Sequence, residues 1–70
     1  MSVWKASKAR QVFAALLRIG WVQFKQAGSH CRLRKPGWKN YTFSFHDSDE
    51  VGPAALSRIS KDTGLRPEDL

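Results

Sequence analysis

The stretch from Trp21 to Lys35 leaves the chain few ways to fold. Residues Trp21 to Gln26 alternate as a strand does, Ala27-Gly28-Ser29 interrupts them, and His30 to Lys35 alternate again. Two strand-like runs joined through a glycine are a hairpin signal. Period-two alternation puts Val22 and Phe24 on one face and Gln23 and Lys25 on the other. In the second strand Cys31 and Leu33 share a face, and His30, Arg32 and Arg34 share the opposite one. Ala27 resists positive φ, so the expected connection is a type I turn with Gly28 left-handed, a bulged hairpin.

An isolated hairpin is marginal in water, and the chain supplies what it lacks. Pro36-Gly37-Trp38-Lys39-Asn40 reads as a second hairpin loop, and Tyr41 to Phe45 as a third strand, with Tyr41, Phe43 and Phe45 on the core side. Upstream, Ala9, Val12, Phe13, Leu16, Leu17 and Ile19 recur at helical spacing between Lys8 and Ile19, with Ser7 placed to cap and Gly20 to stop. Downstream, His46-Asp47-Ser48-Asp49-Glu50 leads to a helix with Pro53 in its first turn, Ala55, Leu56 and Ile59 inward, and Gly64 at its end. Leu65 can fold back onto the core. The order α-β-β-β-α is α+β: a three-stranded antiparallel sheet with two helices on one face and the other face wet. Residues 1–70 form one domain, with 1–6 a loose lead-in and 66–70 a short tail.

Size and charge bound the function. A 70-residue chain buries only about 60% of its unfolded surface, which points away from a large enclosed pocket and toward an outer face. The net charge is +6, and it is unevenly placed. Residues 1–46 hold nine Lys and Arg and no acid, whereas residues 47–70 hold three bases and six acids. A basic body of this kind attracts a polyanion through counterion release; an acidic protein would satisfy the same charge. Cys31 is the sole cysteine, which argues for a reducing compartment, and its neighbour His30 lacks the spacing of a metal-ligand set. No cofactor or metal is expected. The N-terminal residues lack the apolar run of a signal peptide, and no segment approaches the roughly 18 apolar residues of a membrane span, so the expected location is the cytoplasm.

The chemistry candidates cluster at the first hairpin. Histidine titrates near neutrality and can give or take a proton. Cleaving RNA through its 2′-OH needs a base, an acid for the 5′-oxygen and positive charge on the phosphorane. His30 can fill one of the first two roles; Lys25, Arg32 and Arg34 can fill the third; Gly28 and Ser29 can let a phosphate approach the turn. His46 is a candidate partner whose distance from His30 is not legible from the sequence. A single histidine does not by itself make a catalytic centre, and the same residues suit a non-catalytic RNA-binding or protein-interaction face. Trp38 can stack on a base, touch a partner or tuck beside the sheet, whereas Trp4 and Trp21 read as core. Asp47, Asp49 and Glu50 suit a helix entry better than a magnesium site.

Gly20-Trp21, Gln26-Ala27-Gly28-Ser29-His30, the basic strand, the second hairpin and the short second helix together resemble the HicA (YcfA-like) toxins of bacterial toxin–antitoxin systems. The likeness spans about Lys8 to Leu65. It implies a fold similar to the double-stranded-RNA-binding domain and an mRNA interferase that cuts RNA without a metal. It also implies a HicB-like antitoxin that forms a hetero-oligomer and covers the active face. The family's catalytic histidine falls on His30 and its turn glycine on Gly28. The chain departs from the commoner pattern at Cys31 and at Phe45-His46-Asp47, so no role is carried over to those positions.

Overall fold

The computed structural model describes residues 3–70; the first two residues of the expected lead-in lie outside the described residues. The elements run β1 (Ser7–Lys8), α1 (Ala9–Arg18), β2 (Val22–Ala27), β3 (His30–Arg34), β4 (Tyr41–Phe43), β5 (Glu50–Val51) and α2 (Pro53–Thr63), followed by a 3-10 turn at Pro67–Asp69. Strands β2, β3 and β4 form the expected antiparallel meander in that spatial order, and β1 pairs with β5 as a separate two-residue ribbon. The α-β-β-β-α arrangement therefore stands, with β1 and β5 as additions too short to leave a sequence pattern.

Helix α1 buries Ala9, Val12, Ala15 and Leu16, with Phe13 packed beside them. Leu17, expected in the same stripe, is 43% exposed, because it lies on the flank of the helix. The helix ends in a Schellman motif: the Gly20 N–H donates to Leu17 O at 3.2 Å and the Trp21 N–H to Leu16 O at 3.1 Å. Its start differs from expectation. Ser7 does not cap; Lys8 is the N-cap residue and makes no side-chain cap bond. The Ser7 hydroxyl donates to Lys5 O instead, while the Ala9 and Arg10 N–H groups donate to Asp49 O at 2.8 Å and Asp47 O at 3.3 Å. Carbonyls of the loop leaving the sheet thus satisfy the helix start, and β1–β5 pairing holds that loop in place.

Of Asp49, Glu50 and Gly52, each able to open helix α2, Gly52 is the N-cap; Pro53 sits in the first turn as expected, and the helix buries Leu56 and Ile59. These two, with Val12, Leu16, Leu33, Phe43, Val51 and Leu65, form one core between the helices and the inner sheet face. The Phe13 and Phe43 rings meet at 5.7 Å, and the Trp21 indole N–H donates to Thr63 O at 3.0 Å, which ties the start of the sheet to the end of α2. Strand β4 stops at Phe43 rather than Phe45, because β3 begins at His30 and leaves Phe45 nothing to pair with. Phe45 packs on Phe43 instead, at 5.3 Å between rings.

Candidate functional site

The hairpin between β2 and β3 closes at the Ala27–His30 pair, which leaves a two-residue turn of Gly28 and Ser29. Gly28 has φ +60° and Ser29 is not left-handed. Positive φ at the first central residue alone is the type II′ pattern, not the bulged type I turn expected from Ala27. Glycine at that position supplies the backbone angle, and the twist of a II′ turn matches the flanking strands. A side chain at Gly28 would project into open space, so the tip is accessible. The Gln26 side-chain amide braces the turn by donating to Gly28 O at 3.4 Å, and itself accepts from the Gln23 amide at 3.0 Å.

The bulge lies instead inside β2. Gln23 pairs with Leu33 and Lys25 with Arg32, so Phe24 is an extra residue with no partner of its own in the ladder. Directly paired residues point to the same side of a sheet, which fixes the faces. Val22, Lys25 and Ala27 lie with Arg34, Arg32 and His30 on the outer face; Gln23 and Gln26 lie with Leu33 and Cys31 on the inner one. Simple alternation had placed Val22 and Phe24 on the apolar side and Lys25 opposite Phe24. In the fold Val22 is 56% and Phe24 39% exposed, on the outside. The Phe24 ring sits beneath two guanidinium groups, Arg32 at 5.7 Å and Arg34 at 5.2 Å from its centroid.

The outer face thus gathers His30, Lys25, Arg32 and Arg34, all exposed, with the two arginines over one aromatic ring. Among the described residues no carboxylate pairs with Lys25, Arg32 or Arg34; the ion pairs there belong to Arg66 with Glu68 and Asp69. Exposed cations without an internal carboxylate partner are free to take an external anion. Gly28 and Ser29 border a different feature, a shallow recess of about 250 Å³ on the inner side of the hairpin, with Gln26, Cys31, Phe45, His46 and Asp47. His46 therefore approaches the turn from the side opposite His30, its backbone N–H donating to Asp49 Oδ2 at 2.9 Å. Trp38 tucks back: its ring meets Trp21 edge-on at 6.1 Å, lies under Lys35 Nζ at 5.7 Å and stays 42% exposed, at the end of the sheet away from His30.

Phe24 is the site residue that alternation concealed. The sequence carries no signal of it; in the structure Gln23 and Gln26 bond to each other although residues three apart in a regular strand face opposite ways, which reflects the bulge between them. Among the described residues no group of three His, Cys, Asp or Glu side chains comes together at metal-binding spacing, and no helix is long and apolar enough to cross a membrane.

No curated protein sequence matches the chain. Residues 9–65 match the HicA toxins of bacterial toxin–antitoxin systems, a span that begins with α1 and closes on the buried Leu65. With the helix–meander–helix fold and the Gly28-Ser29-His30 corner inside that span, the chain belongs to the HicA toxin family, whose members act in a pair with a cognate antitoxin.

Proposed function

We propose that this protein is the ribonuclease of its toxin–antitoxin pair, cleaving mRNA in the cytoplasm without a metal, with His30 as general acid or base. The observation that carries the reading is the shared outer face: His30 projects from the hairpin corner on the side that holds Lys25, Arg32 and Arg34. The reaction is transesterification at phosphorus. The 2′-hydroxyl loses its proton to a base as the 2′-oxygen bonds to phosphorus; the bond from phosphorus to the 5′-oxygen breaks, and that oxygen takes a proton from an acid. The products are a 2′,3′-cyclic phosphate and a 5′-hydroxyl. His30 supplies one of the two proton transfers, and the three cations neutralise the charge that builds on the phosphorane. Inhibition follows from the same geometry, since a HicB-like antitoxin with an acidic surface would meet this basic face and cover His30.

The test is RNA cleavage in excess chelator by parent and His30→Ala protein. The parent should cut, leaving cyclic phosphate ends; the variant should fold normally and lose cleavage by at least about 100-fold, the usual worth of a positioned acid or base. An RNA methylated at the 2′-oxygen should resist both. RNA recovered intact from the parent would leave a binding module in place of an enzyme, and equal cleavage by His30→Ala would remove His30 from the mechanism.

A further inference from the structure

The extra residue of β2 has no role in the core or the ladder. Phe24 lies outside the buried cluster, on the outer face, and the pairs on either side of it close without it. The ring is 39% exposed and lies against two arginines that no acid claims among the described residues. We propose that Phe24, with the guanidinium planes of Arg32 and Arg34, is a stacking platform for one unpaired base, making the substrate of this face a single-stranded RNA. This rests on the reading of the face as RNA-acting and adds the strandedness and the residue that enforces it.

The chemistry selects the ligand. Bases stack on aromatic rings and on arginine planes, and a base inside a duplex has no free face to offer. The flanking cations suit the phosphates on either side of the stacked nucleotide. Spacing suits it also: Phe24 lies against Arg32 and Arg34, two and four residues along β3 from His30, which is about 7 to 14 Å of strand, the reach of one to two nucleotides. A base held on the ring therefore brings an adjacent phosphodiester to the histidine.

The test uses short RNAs methylated at every 2′-oxygen, one single-stranded and one duplex, so that binding is read without cleavage and without any role for His30 chemistry. Affinities of the parent, Phe24→Ala, Phe24→Leu and Phe24→Trp proteins are measured by fluorescence anisotropy across a salt series. The parent should prefer the single strand. Phe24→Ala and Phe24→Leu should each lose about 5- to 150-fold on the single strand, the worth of one base–aromatic stack, and stay within about twofold on the duplex. Phe24→Trp should bind as the parent does. The salt dependence should not change, because the ring neutralises no phosphate. Phe24→Leu keeps apolar bulk at the bulge and secures the test if the alanine variant folds poorly.

Single-strand affinity unchanged in both variants would overturn the proposal; should affinity for the antitoxin fall instead, the ring is a protein contact. Equal losses on single strand and duplex, or a shallower salt dependence, would also overturn it and leave Phe24 as a support for the arginines. A parent that binds neither RNA refutes the underlying reading as well, whereas parent binding with unaffected Phe24 variants refutes only the platform.

Discussion

Replacing Gly64 by alanine tests how the two ends of the fold are held together. Gly64 caps α2 with φ +77°, and a Cβ built there falls 3.0 Å from Trp38 Cη2 and 3.1 Å from Cζ2. Two costs add. An alanine held left-handed is disfavoured by about 1–2 kcal/mol. At 3.0–3.1 Å the Trp38 indole must also give way by a few tenths of an ångström, which loosens its edge contact with Trp21, an aromatic pair worth about 0.5–1.5 kcal/mol. The expected loss is about 2–3 kcal/mol, a large share of the roughly 4–10 kcal/mol of a domain this size, and the melting midpoint should fall by about 10–20 °C. The assay is urea and thermal unfolding followed by circular dichroism, with Trp38→Ala completing a double-mutant cycle. Without the indole only the backbone cost of Gly64→Ala remains, so the two substitutions should couple by about 1 kcal/mol. Equal costs in both backgrounds would refute the placement of Trp38 against the helix end.

Tyr41 is the sole tyrosine, and burial, with Asp62 adding to it, pushes its hydroxyl up to about 12. Tyrosinate absorbance should therefore rise near pH 12 in the folded protein and near about 10 in denaturant. Because the folded state holds this proton more tightly, the stability it carries is complete below about pH 10 and declines as the pH climbs toward 12. Tyr41→Phe should flatten that decline; an unchanged curve would assign it to other groups. Thr63 is buried, donating to Ile59 O at 2.6 Å and accepting from the Leu65 N–H at 3.2 Å. Thr63→Val keeps the shape but strands that N–H, and unfolding should show a loss of about 1–3 kcal/mol; a loss under about 0.5 kcal/mol would mean that Leu65 does not depend on the hydroxyl. Arg34→Ala should weaken RNA binding and lower its salt slope by about one unit, measured by anisotropy; an unchanged slope would mean that Arg34 touches no phosphate.

The parts of the fold set by short-range pattern were legible. Ala9, Val12 and Leu16 mark the buried stripe of α1, Gly20 and Gly64 mark both helix ends, and Cys31 and Leu33 place the inner face of β3. Those signals are local: a periodicity or a backbone angle that one residue type accepts. His30, Arg32 and Arg34 follow from the same alternation in β3 and share the expected outer face. The partner strand did not follow, because a bulge depends on how two strands meet and not on residues within either. One uncounted residue turned Val22 and Phe24 outward and Gln23 inward, while Lys25 faces Arg32 as a regular hairpin would place it. The capping of α1 was hidden for a related reason: its acceptors, Asp47 O and Asp49 O, lie far along the chain and are backbone atoms, which no side-chain pattern announces. Trp38 was undecidable from the loop alone, since its resting place is made by Trp21 and Gly64.

The bulge also has a consequence for chain length. Gln23, Lys25, Gln26 and Ala27 meet Leu33, Arg32, Cys31 and His30 as a regular ladder would if position 24 were skipped. Related chains one residue shorter before the turn can therefore keep the whole hairpin and the histidine corner while lacking the ring. Aligned without a gap at that point, such a chain would show false substitutions from position 24 onward; aligned with one, it would differ by a single deletion. Position 24 is where relatives of this protein can gain or lose a feature of the outer face without refolding anything else.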